Sequence, residues 1–567
     1  MVSRTGEANV LITRAESYRE IYDGFRWRVP ERFNMAVACC DRWAAAPDRV
    51  ALIHERPDGT MRRYSFRDMQ RVSLRVANLL VGLGLARGDR VLLLLGQRPE
   101  TAMLHLGAWR AGMISVLCSV LFGADAIQYR LALSGARLLV TDAANLPKVL
   151  EIRDRVPALA HVLCVDGPEA GVGDFHALVG QARAAFTTVD TLAEEPAFIC
   201  FTSGTTGPPK GTLHAHRALL GHMPCVELQH DFFPQPGDLQ WSPADWAWLA
   251  GLMDVLMPSW FHGVPVLAFR SIGFDPEQAY RMMAKHRVRN TLLVPTMLRL
   301  MRQVPEPRAR FDLALRTLIS GGETVGQELI EWARATLGVG INEVFGQTEC
   351  NLVLGHNEAV MRPKPGALGL SMPGHVGAIV DADGRELPPG EVGQIAFKRP
   401  DPVMLLTYWN NPEATAEKYA GDWLLTGDLG LRDEDGYFWY RGRADDVITS
   451  AGYRIGPGEV EEALVRHPAV RLAAVIGVPD PVRTESIKAF LVLADGYAPT
   501  PALEGEIRDF IRARLARHEY PREIEFVESL PTTTTGKIMR RELRERERRR
   551  REGATPSTSR PAGLPHP

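Results

Sequence analysis

Several features are missing from this sequence of 567 residues, and each absence removes a class of protein. Basic and acidic residues nearly balance, 66 against 68, so the strong positive charge of a dedicated nucleic-acid binder is not expected. No run approaches the roughly 18 consecutive apolar residues that a membrane-spanning helix needs. The first seven residues are polar and lack the apolar core of a signal peptide. We therefore expect a cytoplasmic protein without an integral membrane part and without a nucleic-acid partner.

Cysteine is also scarce, and its spacing excludes a metal-binding or disulfide-rich protein. The seven cysteines include no CxxC pair, and most have apolar neighbours, as buried reduced thiols do. This usage is typical of a reducing compartment. The sequence contains no Walker A loop, no HExxH helix, no GxSxG nucleophile elbow and no repeat of fixed period.

What is present is an alternation of strand-like and helical patterns, which predicts an α/β fold with layered, mostly parallel sheets covered by helices. Ser65 and Asp68 are typical of the start of a helix. Apolar strand-like runs occur at 91–95, 114–118, 138–141, 196–202, 264–269, 291–294, 318–320 and 343–345. Between about 376 and 408, Gly-rich turns separate short alternating runs, which indicates a small antiparallel or barrel-like segment.

The chain is too long for one core, so at least two domains are expected. We predict a large N-terminal domain over 1–441, a hinge over 442–446, a small α+β C-terminal domain over 447–545 and a disordered tail over 546–567. The dense Arg and Glu stretch from Arg540 to Arg551 could extend a helix, and the expected disorder depends on Gly553 to Pro567, which are rich in Pro, Ser and Gly.

The sharpest local feature is the ten-residue string TSGTTGPPKG, which begins at Thr202 directly after a predicted strand. Glycines let backbone N–H groups approach phosphate oxygens, hydroxyls add donors and a lysine adds charge. A flexible surface loop is the alternative for such a composition. The residues that would bind a polyphosphate are Thr202, Ser203, Gly204, Thr205, Thr206, Gly207 and Lys210.

The complete string resembles the motif of the adenylate-forming (AMP-binding) superfamily, which includes acyl- and aryl-CoA synthetases, adenylation domains of peptide synthetases and firefly luciferase. The resemblance spans residues 35 to 545 and is nearest to medium-chain acyl-CoA and benzoate-CoA ligases. GYRIGPGE from Gly452 and VPDPVRTESIKAF from Val478 resemble that group. The resemblance implies a large N-terminal domain and a small mobile C-terminal domain that alternate in a two-step reaction.

Downstream motifs follow in the order that this family requires. By resemblance, adenine lies against Gly322 and Glu323 and against the EVFGQ segment, which comprises Glu343, Val344, Phe345, Gly346 and Gln347. Thr348 approaches the α-phosphate and Glu349 helps to hold Mg²⁺, a cation that prefers hard carboxylate and phosphate oxygens. Each of these residues, taken alone, would more often be an ordinary turn or surface residue.

The C-terminal motifs extend this resemblance. Asp428 matches the aspartate that grips the ribose hydroxyls, and Arg443 and Arg454 match further ribose or phosphate contacts. The hinge matches Asp445, and the segment that faces CoA comprises Ala451, Gly452 and Tyr453.

Lys537 matches the catalytic lysine of adenylation, where a fixed ammonium stabilises charge on the oxygens around the α-phosphorus. The usual motif has a second lysine five residues earlier, where this chain has Thr532.

By the same resemblance, the acyl pocket is lined by Trp246, Leu249, Ala250, Gly321 and Gly346. Acetyl-CoA synthetases have a tryptophan where this chain has Gly346, so we expect a pocket open to medium-chain, branched or aromatic acids. A packing role in the core is the alternative for Trp241, Trp246 and Trp248. His214 and His216 are expected to open the helix after the phosphate loop, with a capping or packing role.

The predicted protein is an acid–thiol ligase that uses ATP, Mg²⁺ and CoA to form acyl-CoA through an acyl-adenylate. A stand-alone enzyme that loads a carrier protein and a nucleotide-binding pseudoenzyme are the alternatives. A homodimer is one assembly that the sequence allows, and the acid itself is left open.

Overall fold

The structure is a computed structural model, and it describes residues 10–202, 208–270, 273–323, 325–362, 364–443, 446, 448–450, 453–480, 484–512, 520–532 and 538–553. The chain forms two compact units. The first comprises residues 1–426 and 430–440, and the second comprises residues 427–429 and 441–567.

Sheet A of the first unit is built from eight described strands, and it presents the predicted phosphate loop. Its strands run in the same direction except for Gly211–Ala215, which is antiparallel to both of its neighbours. In spatial order they are Thr407–Tyr408, Gly211–Ala215, Pro196–Phe201, Ile114–Cys118, Arg90–Leu94, Leu138–Thr141, His161–Cys164 and Gly173–Asp174.

Sheet B, also in the first unit, has nine described strands with a parallel centre and antiparallel edges. The strands with adenine-binding motifs are adjacent in it, with Ser320 opposite Glu343 and Gly321 opposite Val344. In order they are Leu370–Ser371, Leu354–Gly355, Ile341–Phe345, Thr317–Gly321, Asn290–Leu292, Gln240–Trp241, Val266–Phe269, Val50–Glu55 and Met61–Ser65.

Alternation along each strand places apolar side chains on both faces of these sheets. Val91 and Leu93 belong to the largest core cluster, whereas Leu92 and Leu94 belong to another. Such two-faced burial is what parallel sheets covered by helices require. The predicted α/β class is therefore confirmed.

Sheet C contains five strands, of which Gly377–Val380 and Gly393–Lys398 lie in the segment expected to be antiparallel or barrel-like. The pairing of Gly377–Val380 with Gly393–Lys398 and that of Tyr419–Ala420 with Trp423–Arg432 are antiparallel. The fifth strand, Phe438–Arg443, pairs with Trp423–Arg432.

The helices of the first unit follow apolar periodicity and capping. Ser65 Oγ accepts from the backbone N–H of Asp68 at 3.1 Å while Ser65 N–H donates to the Asp68 carboxylate, so the expected capping box is present. The α-helices are Tyr18–Gly24, Arg42–Ala44, Phe66–Gly82, Pro99–Arg110, Ala124–Ser134, Leu146–Ile152, Phe175–Gln181, Ala218–Gln229, Met257–Phe261, Pro276–His286, Pro295–Arg302, Pro307–Arg310, Gln327–Trp332 and Pro412–Glu417. Shorter helical stretches are Val37–Asp41, Arg153–Arg155, Ala250–Leu256 and Ala333–Leu337.

The second unit is an α+β fold around its own apolar core. Its strands are Ile448–Ser450, Tyr453–Ile455, Val470–Asp480, Thr484–Leu493 and Glu523–Phe526, and its helices are Pro457–Val465, Pro501–Arg512 and Arg540–Gly553. The described parts of the chain contain no helix long and apolar enough to cross a membrane.

The C-terminal helix corrects the predicted start of the tail, because residues 546–553 are helical instead of disordered. Leu543 is buried in an apolar cluster of this unit. Glu547 is 3% exposed and accepts from Lys488 Nζ at 2.8 Å, while Lys488 is itself 2% exposed. Lys488 also pairs with Glu525 at 2.7 Å, and Arg551 pairs with Glu547 at 2.8 Å. Buried, compensated charges stabilise this Arg-rich helix, and composition alone does not reveal them.

We predict that Lys488→Met destabilises the second unit by about 2 kcal/mol, because the buried Glu547 carboxylate loses its buried ammonium partner and keeps, among the described residues, only the more exposed Arg550 and Arg551. Adding Glu547→Leu is expected to restore much of the loss. Arg541→Ala, which removes an exposed pair with Glu545, serves as the control and is expected to change stability by less than about 1 kcal/mol. Urea unfolding measures all three, and equal losses for Lys488→Met and Arg541→Ala would contradict the prediction.

Candidate active site

The base of the predicted phosphate loop is a hairpin of sheet A. Thr202 N–H donates to the Lys210 carbonyl at 2.9 Å, and Phe201 lies opposite Gly211 in the antiparallel ladder. Thr202 and Lys210 therefore lie side by side where the loop leaves the sheet. The predicted residues between them, 203–207, lie outside the described residues.

Lys210 and Glu349 come together through a residue that the sequence did not single out, Tyr408. The Lys210 ammonium lies 5.0 Å from the centre of the Tyr408 ring, and the Tyr408 hydroxyl donates to Glu349 Oε1. Burial, reinforced by the Glu349 charge, raises the pKa of Tyr408 above its usual value. The hydroxyl thus remains a donor, and the predicted phosphate lysine and the predicted Mg²⁺ carboxylate share one neighbour.

The oxygen-bearing side chains of Thr348 and Glu349 are of the kind that binds a magnesium ion together with phosphate. Thr348 and Glu349 supply a hydroxyl and a carboxylate, both hard donors of the kind that Mg²⁺ prefers. In the part of the chain that the structure describes, no cluster of three or more His, Cys, Asp or Glu side chains could hold a metal ion. A metal here would complete its coordination with phosphate oxygens and water.

The adenine-side residues lie at the carboxyl ends of adjacent parallel strands, the edge where α/β sheets bind ligands. Gly322 has a φ of +84°, a conformation that favours glycine. The Glu323 carboxylate accepts from Thr296 Oγ1 at 2.8 Å and pairs with Arg299 at 3.2 Å. Glu323 therefore fixes this turn to the helix Pro295–Arg302.

A second residue that the sequence reasoning missed is Lys418. Its ammonium donates to Gln347 Oε1 at 2.7 Å, and Gln347 Nε2 donates to the Thr426 carbonyl at 2.9 Å. Lys418 thereby connects the EVFGQ segment to Thr426, which directly precedes Gly427 and Asp428. No motif pointed to Lys418, because it follows the helix Pro412–Glu417 at a position whose partners are distant in sequence.

In the second unit, Asp428 and Arg443 form an ion pair at 3.4 Å. Gly427 has a φ of +78°, and a Cβ there would lie 3.4 Å from the Arg443 guanidinium. The two predicted ribose contacts are therefore neighbours.

The remaining predictions for the second unit fall mainly on undescribed residues. Tyr453 pairs with Ser450 through the backbone, but Asp445, Ala451, Gly452 and the Arg454 side chain lie outside the described parts. Lys537 also lies outside them, although the ends of its loop meet in an antiparallel bridge between Thr532 and Ile538.

Three of the predicted acyl-pocket residues, Trp246, Leu249 and Ala250, lie within the main core of the first unit or pack against it. Trp246 is 1% exposed within the main core, and Leu249 is 6% exposed beside it. Ala250 begins the π-helical stretch Ala250–Leu256 and is half-buried. The packing alternative therefore describes Trp246, and it also describes Trp241, which is 2% exposed in a second cluster. Pocket lining by Trp246, Leu249 and Ala250 stays a prediction.

Gly346 and Gly321 are glycines because backbone occupies the space that a side chain would need. A Cβ on Gly346 would overlap the backbone nitrogen of Leu352, and one on Gly321 would overlap the carbonyl oxygen of Val344. Leu352 itself has a φ of +54°. The missing indole at position 346 therefore does not by itself open a cavity, because the main chain at 351–352 fills that direction.

His214 and His216 do not open a helix, contrary to expectation. His214 lies on the strand Gly211–Ala215 and stacks on Phe198 at 4.8 Å, while His216 Nδ1 accepts from the Met35 N–H at 3.3 Å. Burial lowers the pKa of each to about 3. Their role is packing, and the helix begins at Ala218.

All seven cysteines are free and buried, as expected. Burial raises the pKa of Cys118 and Cys200 to about 12, so neither thiol is an activated nucleophile.

Comparison with known proteins decides the family. The model of the AMP-binding enzyme matches residues 40–409, and that of the AMP-binding enzyme C-terminal domain matches residues 459–537. This chain belongs to the AMP-binding enzyme family. The acyl-CoA synthetases named from the sequence are among its relatives.

Members of the AMP-binding enzyme family resemble this chain over nearly its full length. An acetyl-coenzyme A synthetase of Bacillus subtilis (strain 168) is 36% identical and covers 93% of this chain and 95% of its own length. The human acyl-coenzyme A synthetase ACSM4, mitochondrial, is also 36% identical and covers 92% of each chain.

Solved structures give the same assignment. An anthranilate CoA ligase, AuaEII, in complex with anthranoyl-AMP superposes with a TM-score of 0.85 at 28% identity, covering 92% of this chain and 99% of its own. A benzoate CoA ligase from Burkholderia xenovorans LB400 gives 0.81 at 29% identity, covering 90% and 100%. The predicted reaction class, ATP-dependent ligation of a carboxylic acid to CoA through an acyl-adenylate, is confirmed for this AMP-binding enzyme. The cytoplasmic location stays a prediction, since the human relative is named mitochondrial.

We predict that Gly346→Ala destabilises the protein by about 1–3 kcal/mol and lowers activity towards all acids in the same proportion, because the new Cβ meets fixed backbone. Gly180→Ala is the matched control, since nothing lies within 4 Å of a Cβ there. Thermal unfolding and turnover with short and long acids measure both effects. If Gly346→Ala kept its stability and lost turnover only with long acids, the prediction would be contradicted and an open pocket at Gly346 favoured.

Asp245, beside Trp246, provides a prediction of pH dependence, because burial raises the pKa of its carboxyl to about 6. Below the ordinary pKa, near 3.8, folded and unfolded chains both hold the proton. Between pH 3.8 and about 6, the unfolded chain releases the proton whereas the folded chain retains it. The free energy of unfolding therefore falls as pH rises through this range and is constant above it. Asp245→Asn is therefore expected to stabilise the protein at neutral pH, with a gain that disappears near pH 4.

Thermal unfolding across this pH range measures the effect. Asp48→Asn, at an exposed position, serves as the control and is expected to show no such gain. A pH-independent change in Asp245→Asn would refute the prediction.

Proposed function

We propose that this protein is an AMP-forming acyl-CoA synthetase for medium-chain, branched or aromatic carboxylic acids of roughly four to ten carbons. The observation that carries the proposal is the contact of Tyr408 with both Lys210 and Glu349 at the base of the phosphate hairpin. That arrangement brings a cation and a hard carboxylate to one edge of sheet A, as a nucleotide triphosphate needs.

In the first half-reaction, a carboxylate oxygen of the acid attacks the α-phosphorus of ATP. A P–O bond forms to the acid, the bond to the bridging oxygen breaks, and pyrophosphate leaves with the electron pair. In this proposal Lys210, the hydroxyls of the hairpin and Thr348 orient the phosphates, and Lys537 stabilises the charge that grows on the oxygens around the α-phosphorus.

Mg²⁺ fits as a component of this site. Bound by Glu349 and phosphate oxygens, it would neutralise part of the triphosphate charge. The adenosine would be held by Glu343, Phe345 and the Gly322 turn, with Asp428 and Arg443 at the ribose.

In the second half-reaction, the CoA thiol gives its proton to water and its sulfur attacks the acyl carbon of the adenylate. A C–S bond forms, the bond between the acyl carbon and the phosphate oxygen breaks, and AMP leaves with the electron pair. No protein nucleophile is required, which agrees with the buried cysteines. The segment of Ala451, Gly452 and Tyr453 is the proposed surface for the pantetheine chain.

The choice of acid is supported by a small residue at one predicted pocket position, Ala250, and by likeness to benzoate and anthranilate CoA ligases. The name of the Bacillus relative favours acetate instead. A carrier protein as the acyl acceptor is the second candidate, and CoA dependence distinguishes it.

The decisive experiment is AMP formation from ATP across acetate, butyrate, octanoate, decanoate, isobutyrate and benzoate, with and without CoA. We expect CoA-dependent AMP, with kcat/KM for the best acid at least about 10-fold above that for acetate, since each buried methylene contributes about 0.8 kcal/mol.

Each other outcome has a distinct meaning. An acetate optimum would reject the proposed acid class but keep the synthetase. Pyrophosphate release without CoA stimulation would favour a carrier protein. No turnover with any acid would favour a nucleotide-binding pseudoenzyme.

A further inference from the structure

The strand Thr407–Tyr408 lies between the two parts of the proposed phosphate site. On one side it continues sheet A, with Tyr408 opposite Thr212 and the Trp409 N–H donating to the Gly211 carbonyl at 2.6 Å. On the other side, Leu405 N–H donates to the Glu349 carbonyl at 2.9 Å. The strand is therefore bonded to the segment after the phosphate loop and to the segment that contains Glu349.

The Tyr408 side chain repeats this connection within the site. Its hydroxyl donates to Glu349 Oε1 and its ring faces the Lys210 ammonium. Tyr408 is 4% exposed, and its backbone N–H is held by Thr415 Oγ1 at 2.9 Å. Because Tyr408 is held at both its backbone and its hydroxyl, its ring has little freedom to move and can restrain the side chains in contact with it.

We infer that Tyr408 is a positioning residue for adenylation, which holds the Glu349 carboxylate and the Lys210 ammonium in the orientation that receives metal-bound ATP. The inference rests on the proposed function, since it assigns Tyr408 a part in that site. By donating to Oε1, the hydroxyl restrains the rotation of the Glu349 carboxylate.

The physical reason is the behaviour of a carboxylate without a fixed donor. A glutamate side chain rotates about three bonds, and a carboxylate that is free to rotate must lose that freedom whenever a cation binds. A buried hydroxyl that donates to it removes the freedom in advance. The Tyr408 ring adds a cation–π contact that keeps Lys210 over the hairpin base.

The test is Tyr408→Phe, which keeps the ring and removes only the hydroxyl. Calorimetric titration with ATP, in the presence of Mg²⁺ and in the presence of EDTA, measures binding independently of turnover. We expect affinity for MgATP to fall about 10-fold, the typical effect of losing one charge-assisted hydrogen bond. Affinity for metal-free ATP is expected to stay within about 2-fold, because Glu349 then has no cation to receive.

Two further variants establish that Tyr408 acts through Glu349. In a Glu349→Gln background, adding Tyr408→Phe is expected to change MgATP affinity by less than about 2-fold, because the effects of a coupled pair are not additive. Tyr408→His, whose ring can donate from nitrogen, is expected to restore part of the loss seen in Tyr408→Phe.

The matched control is Tyr280→Phe. Tyr280 is fully buried, and its hydroxyl donates to the Met301 carbonyl at 3.2 Å in a cluster beside sheet B. This variant is expected to bind ATP as the wild type does, with and without Mg²⁺. Thermal unfolding of every variant accompanies the titrations.

The outcomes separate the inference from the function on which it rests. Wild-type protein that binds no MgATP would reject the proposed function. Wild-type binding with an unchanged Tyr408→Phe would overturn the role of Tyr408 alone. Three other results would assign Tyr408 a purely structural role and overturn the inference. They are an equal loss of ATP affinity with and without Mg²⁺, effects of Tyr408→Phe and Glu349→Gln that add, and failure of both Tyr408→Phe and Tyr408→His to fold.

Discussion

Backbone pairing between Thr407–Tyr408 and Gly211–Ala215 is the constraint on which the proposed phosphate site depends. These strands are far apart in sequence, yet their ladder determines where Tyr408, Lys210 and Glu349 can meet. The family model for the AMP-binding enzyme ends at residue 409, immediately beyond this strand. A strand of two residues is weak alone, so its place is secured by Leu406 N–H to the Leu213 carbonyl and Trp409 N–H to the Gly211 carbonyl.

Two buried acids away from this edge also have partners that are distant in sequence. The fully buried Glu227 accepts from the backbone N–H groups of Leu11 and Ile12 and pairs with His262 at 3.0 Å. Asp254 accepts at 2.6 Å from the side-chain amide of Asn351, two residues after the Gln347-Thr348-Glu349 (QTE) motif. Leaving either acid without its partner would cost far more than the pair contributes, so such networks fix one arrangement of distant segments.

The sequence predicted what short-range chemistry controls. Strand positions such as Ile114–Cys118 and the Ser65 capping box follow from patterns within a few residues, and the nucleotide motifs were found by resemblance to a family. Lys418, Tyr408 and the Lys488–Glu547 pair could not be predicted, because each acquires its role from partners that only the tertiary fold brings near. His214 shows the opposite error, since a hairpin strand follows the phosphate loop where a helix was expected. Sites on the undescribed residues stay predictions from resemblance.

Gly346 shows why a motif comparison cannot measure a pocket. Replacing tryptophan by glycine removes an indole only if the surrounding backbone is the same in both proteins. Here Leu352 adopts a positive φ, and Cys225 Sγ donates to its carbonyl, so the main chain after the QTE motif is held against Gly346. If the acid lies beside Gly346, as the resemblance implies, we expect its space to be set by the path of 346–352, which the buried Asp254–Asn351 pair helps to fix. We therefore expect substrate range to depend on that segment and its buried partners more than on any single side chain facing the acid.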